Sequence, residues 1–306
     1  MKKITALILV TVMTVTLGAC GTSGGGASSS AASSAAAPAA SSAAASSASA
    51  ESSASSVEIY KYGALGRLTK LNVAEDTLND ALKSLTKIDY TKIVYYDNLN
   101  SLVMGLTNGD IAMIGIDDNS ARYIISRQDK MITRIPYGEQ FTLAYSMLMR
   151  KEDSAKCDRI SAAIKDMKAD GTIDKLKKTY IDDVINGTEP TAVKPEQFDG
   201  AETLKVAVTG DRPPMDYISS TGEPVGFNTA LVAEVAKRMK VNVEFVHVDS
   251  GARGVSLKSG VADVIFWSEV GDINYLEGSS YGDQPEDTVL SEPYLTSPHV
   301  YVFLKE

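Results

Sequence analysis

The apolar positions change their period along the chain. Ile4 to about Thr16 is one nearly unbroken apolar run, and residues 21–56 carry almost no apolar bulk. Beyond them, short apolar runs alternate with segments in which apolar residues return every three or four positions. In the first half, Val57–Tyr62, Lys92–Tyr96, Ile111–Ile116, Met131–Ile135 and Phe141–Leu148 read as strands. Between them, 74–85 puts Leu78, Ala81, Leu82 and Leu85 on one helical face, and 98–106 is a short helix closed by Asn108-Gly109. The segment 120–126 is a third helix, with Asp117–Asn119 positioned to cap it. Asp153-Ser154 opens a helix bearing Ile160, Ala163, Ile164 and Met167 that stops at Asp170-Gly171. Thr172 opens the next, with Ile173, Leu176 and Tyr180 on its stripe.

Residues 186–202, with Gly187, Pro190 and Pro195, read as a linker. The second half is more regular. Strands at Leu204–Val208, Val241–Val248, Ala262–Trp267 and Val300–Leu304 alternate with helices at Asn228–Lys240 and Ala252–Ser259. Gly210–Pro214 is a stiff loop, Gly222-Glu223-Pro224 a turn, and Glu269 to about Thr288 an irregular acidic stretch. Strand–helix alternation predicts α/β layers, with helices covering a largely parallel sheet.

The amino-terminal run is about 13 residues, too short for a stable span of a roughly 30 Å hydrocarbon core. It follows Lys2 and Lys3 and leads into Leu17-Gly18-Ala19-Cys20. That arrangement resembles a bacterial lipoprotein signal, which implies removal of residues 1–19, lipidation of Cys20 and anchoring on the extracytoplasmic face of the cell membrane. The stretch 20–56 is almost entirely Gly, Ser and Ala, so it cannot bury enough apolar surface to offset its ordering entropy. It reads as a tether with an r.m.s. reach of about 30–36 Å. An Ala-rich helix is the competing reading, opposed by the interleaved Ser residues and Gly24–Gly26.

The remaining chain, about 250 residues, is long enough for a large core and more consistent with two lobes than one. The formal net charge of −9 disfavours nucleic acid as a partner. Cys157 is the one cysteine left after lipidation, so no internal disulfide forms and the thiol reads as a packing residue. His247 and His299 stand isolated, and no His/Cys cluster has metal-ligand spacing. No metal or other cofactor is expected.

The second half resembles the first lobe of the family-3 extracellular solute-binding proteins, the receptors of polar amino-acid ABC importers. The resemblance rests on Leu204–Pro214, on Gly222 with Val225–Asn228, on Leu257–Gly260 with Ala262–Ile265, and on Ser291-Glu292-Pro293-Tyr294. Residues 57–185 resemble that family's second lobe and closing helices, through Asn98–Asp117 and Lys168-Ala169-Asp170-Gly171-Thr172-Ile173-Asp174-Lys175-Leu176. The order is therefore reversed, with 203–306 as the first-lobe-like region. Two arrangements fit: a circular permutant whose strand Val300–Leu304 ends at the hinge near Val57, or a cut-off tandem. The permutant is preferred, because each piece of one two-lobed protein is present once.

The resemblance implies two α/β lobes of the periplasmic-binding-protein type closing on a ligand. Residue by residue, Asp117 matches the second-lobe acid that binds a ligand ammonium, or else it merely caps the following helix. The loop Asp211 to Tyr217 matches the pocket loop, with Met215 where an aromatic usually stands and Tyr217 beside it. Trp267 and Ser268 occupy the strand end that meets the ligand, and Tyr294 lines the hinge side or packs in the core. The family's carboxylate-clamping Arg is missing: Ser268 to Thr288 holds no Arg or Lys. Arg253 is the candidate replacement, Arg212 a weaker one, and Asn228 stands where the family often has Asp.

The expected function is capture of a small, amino-acid-like polar solute for delivery to an ABC permease, by a monomer that changes no bond. The alternative is a sensing or signalling lipoprotein on the same fold without its own permease. An enzyme would need a poised acid or base, and no nucleophile–His pair or metal set supports one.

Overall fold

A computed structural model describes residues 60–66, 68, 91–134, 142–271 and 284–305. The expected signal, the expected tether, the expected helix 74–85 and most of the acidic stretch lie outside the described residues, as do the side chains of 267–271. In chain order, the first half forms β1 (Tyr60–Leu65), β2 (Thr91–Tyr96), α1 (Leu99–Thr107), β3 (Met113–Asp117), α2 (Asp118–Arg127) and β4 (Met131–Arg134). It continues with β5 (Thr142–Arg150), α3 (Ser154–Ala169) and α4 (Thr172–Lys177). Helix α4 runs on through a π-helical turn, Lys178–Asp182, to Ile185. The second half forms β6 (Thr203–Val208), β7 (Asp211–Arg212), β8 (Asp216–Ile218), β9 (Pro224–Val225), α5 (Phe227–Met239) and β10 (Asn242–His247). It closes with α6 (Arg253–Lys258), β11 (Val264–Gly271), β12 (Thr288–Leu290) and β13 (Leu295–Leu304).

The long strands join in the order β10-β6-β11-β5-β13-β3-β1-β2, with β12 on β5 and β4 on β13. Strand β13 divides this array into two lobes. Its first residues, Leu295–Pro298, pair with β5, and from His299 onward it pairs with β3 and β4. The N-lobe holds β1–β4, α1, α2 and the end of β13, around a core that includes Leu102, Leu106, Ile114, Ile124 and Val302. The C-lobe holds the remaining strands and helices. Its main core joins Tyr145 and Met147 of β5 to Ile164 of α3, Val206 of β6, Leu231 of α5 and Phe266 of β11.

The sheet is mixed rather than largely parallel. Pairs β1/β2, β1/β3, β6/β10 and β6/β11 are parallel, as crossover connections require. Within this array the antiparallel pairs all involve β5 or β13. These two strands bring the lobes side by side, and β13 belongs to both.

The expected strand Val300–Leu304 is the second half of β13. It does not end at the hinge: it passes through the crossing and becomes an inner strand of the N-lobe. Pro298 hides the first half of this strand from a sequence reading, because proline lacks a donor and reads as a strand break. Here it stands where β13 changes partners. Val302 and Gly63 are both registered on Ile114, so the end of β13 and the start of β1 flank the same strand, β3. The linker is fastened to the C-lobe: the Asn242 side chain accepts from the Phe198 amide (2.8 Å), and the Val193 amide donates to the Pro224 carbonyl (3.1 Å).

Candidate functional site

The charged side chains at the junction of the lobes are set by two short loops. Strand β3 ends in Asp117, which is 1% exposed. Its Oδ1 accepts from the Ser120 amide (3.1 Å) and so caps α2. Its Oδ2 accepts from Nη2 of Arg212 (3.3 Å), a buried side chain on β7 of the opposite lobe. Asp117 therefore caps a helix and also forms an ion pair between the lobes.

Asp211, beside Arg212, is half-buried and lies against the amide of Leu99, the first residue of α1. Burial raises the pKa of its carboxyl, and Asp216 adds to this. The Thr209 hydroxyl, the Arg212 charge and the Leu99 amide oppose the rise. The loop carrying both residues is held by Asp216, which is 1% exposed. Asp216 accepts from the Thr209 amide (3.0 Å), the Thr209 hydroxyl (2.9 Å) and Nδ2 of Asn228 (3.0 Å). Asn228 thus supports the loop from the first turn of α5.

Tyr217 packs against Tyr123 of α2, with ring centroids 6.4 Å apart. The Arg127 guanidinium, one helical turn on, lies 5.0 Å from the Tyr123 centroid. Burial pushes the Tyr217 hydroxyl well above its ordinary pKa. Asn119 donates to Ser297 (3.2 Å), close to the point where β13 crosses.

Arg253 is buried. Its Nε donates to the Ser250 carbonyl (3.0 Å), Nη1 to that of Phe266 (3.2 Å) and Nη2 to that of Gly66 in the N-lobe (3.2 Å). Met215 is fully buried in the C-lobe core, and Tyr294 packs there between Phe227 and Phe266 at 6.3 and 6.2 Å. The backbone of Trp267 and Ser268 lies in β11, with Ser268 opposite Ser146 after an irregularity that begins at Ile265. Their side chains lie outside the described residues.

The structure thus brings Asp117, Asp211 and Tyr217 to the lobe junction and places Met215 and Tyr294 in the core. Arg212, Tyr123 and Asn119 also stand at the junction, and of these only Arg212 carries a signal in the sequence, by its position in the loop. Among the described residues, no three His, Cys, Asp or Glu side chains converge as a metal site, and no helix is long and apolar enough to cross a membrane.

Residues 204–269 match the bacterial extracellular solute-binding proteins, family 3. The match runs from β6 into β11 and includes the loop that carries Asp211 and Arg212. A search of curated protein sequences finds no match. Among solved structures, the Bordetella pertussis BvgS periplasmic domain is similar at 13% identity and a TM-score of 0.36. The alignment covers 81% of this chain and 37% of that one, so the chain spans little more than a third of its length. The arginine-bound ArgBP mutant from T. maritima aligns at 13% identity over 81% and 88% of the two chains, with a TM-score of 0.35. The GluR0 ligand-binding core from Nostoc punctiforme, in complex with L-glutamate, aligns at 10% identity over 81% and 85%, with a TM-score of 0.36.

Proposed function

We propose that this protein is an extracytoplasmic receptor that captures a small polar, amino-acid-like solute between its lobes and presents it to an ABC permease. The observation that carries this reading is the family match over 204–269, which falls on the loop that faces Asp117 across the lobe junction. A strand shared by both lobes is an arrangement suited to hinge closure around a ligand. Asp117 receives the ammonium group of the solute, and Tyr217 packs beside it. Arg212 is better placed than Arg253 to meet a carboxylate, because Arg253 is engaged by three backbone carbonyls. No bond is made or broken, and Cys20 carries the lipid that holds the receptor at the membrane.

The reversed order of the lobes is read as circular permutation. The end of β13 and the start of β1 lie on either side of β3, and termini that lie close together make permutation structurally feasible.

The test is a thermal-shift screen of the protein against amino acids, polyamines and small peptides. A ligand raises the melting temperature in a concentration-dependent way. Asp117→Asn, which keeps a side chain able to cap α2, is expected to remain folded and to lose that shift. An unchanged shift in the variant removes Asp117 from the site.

A further inference from the structure

Asp211 and Arg212 are consecutive residues of one C-lobe strand, and both reach the N-lobe. Arg212 pairs with the carboxylate at the start of α2, and Asp211 lies against the first amide of α1. A negative and a positive group from one lobe thus meet an amide donor and a carboxylate on the other. Asp216 and Asn228 fix the loop from behind, so the two side chains are held in place for these contacts. We infer that the Asp117–Arg212 pair, with Asp211 beside it, is a built-in latch that holds the lobes together, each charge occupying on the other the position that one end of a zwitterionic solute takes. This inference deepens the receptor reading and rests on it for the solute. The latch itself is a property of the chain alone.

Exchange of charges explains why a zwitterion is the matching class. A simple cation at Asp117 takes the carboxylate away from Arg212, and a simple anion at Arg212 takes the guanidinium away from Asp117. Breaking a buried pair from one side is unfavourable, because it leaves a desolvated charge without that partner. A solute carrying both ammonium and carboxylate inserts between the two and supplies a partner to each.

The test is an interlobe distance measured by double electron–electron resonance. Nitroxides are placed on Thr107→Cys and Lys258→Cys in the full chain carrying Cys20→Ser and Cys157→Ser. This labelled parent is expected to give a short, narrow distribution. Arg212→Gln and Asp117→Asn are each expected to shift it to longer, broader distances, and Arg212→Lys is expected to restore most of the short population. Distributions in Arg212→Gln and Asp117→Asn that superimpose on that of the parent overturn the latch. A shift in these variants, together with no thermal response of the parent to any L-amino acid, leaves the latch standing and overturns the receptor reading instead.

Discussion

At the scale of single residues, the lobe junction concentrates buried polar groups whose partners come from distant parts of the chain. His299 is an example. It sits on β13 at the crossing, opposite Asp117, and shares a hydrogen bond with the Tyr62 hydroxyl (3.1 Å). The Tyr301 ring packs on it edge-on, with centroids 5.3 Å apart. Burial lowers its pKa to about 4, and the nearby Asp117 only partly offsets this. The unfolded chain takes up a proton near 6.5, whereas the folded state resists until about 4. Folding stability therefore falls as pH drops through that window, by about 3 kcal/mol if the full difference is realised. Urea midpoints measured from pH 7 to 4 are expected to decline steeply in the parent and less steeply in His299→Gln. Equal slopes would remove His299 as the cause.

At the scale of elements, two joints hold the C-lobe in shape. Gly226 starts α5 at φ 113°, and a Cβ there would run into the Met215 carbonyl oxygen. Gly226→Ala is expected to destabilise the fold by about 2 kcal/mol or more, read as a lower urea midpoint. Arg150 ends β5 by donating to the Leu257 (2.9 Å) and Ala262 (2.8 Å) carbonyls and pairing with Asp153 (2.7 Å) and Asp263 (2.9 Å). Arg150→Ala leaves those acceptors without their cation and is expected to cost about 2–4 kcal/mol by the same measurement. Most elements are legible in the sequence because their periodicity is local. The stripe on α3 and the glycine stop at Gly171 need no information from elsewhere in the chain. The first half of β13 and the short β12 are not legible. Pro298 masks the one, and the three residues of β12 are too few to show a period.

The candidate site is legible in part for the same reason. Asp117 can be read both as a helix cap and as a site residue because a local Asp–Ser spacing and a family pattern meet there. Its pairing with Arg212 depends on contact across 95 residues, which no local spacing reports. The burial of Arg253 is equally hidden, since its acceptors are backbone carbonyls at Ser250, Phe266 and Gly66. Met215 and Tyr294 lie in loop-like sequence, and only the packing of α5 and β11 over them makes them core.

In the whole molecule, the receptor reading requires both lobes to share one solute. Strand β13 links them at one side, so a solute that takes the place of the Asp117–Arg212 pair must hold α2 of the N-lobe and β7 of the C-lobe at once. Hydrogen–deuterium exchange tests this directly, using the compound that gives the largest thermal shift. Protection is expected to rise at the Asn119 and Ser120 amides and, in the same titration, across 209–217. Protection confined to one lobe, or unchanged in both, would rule out a solute shared by the two lobes.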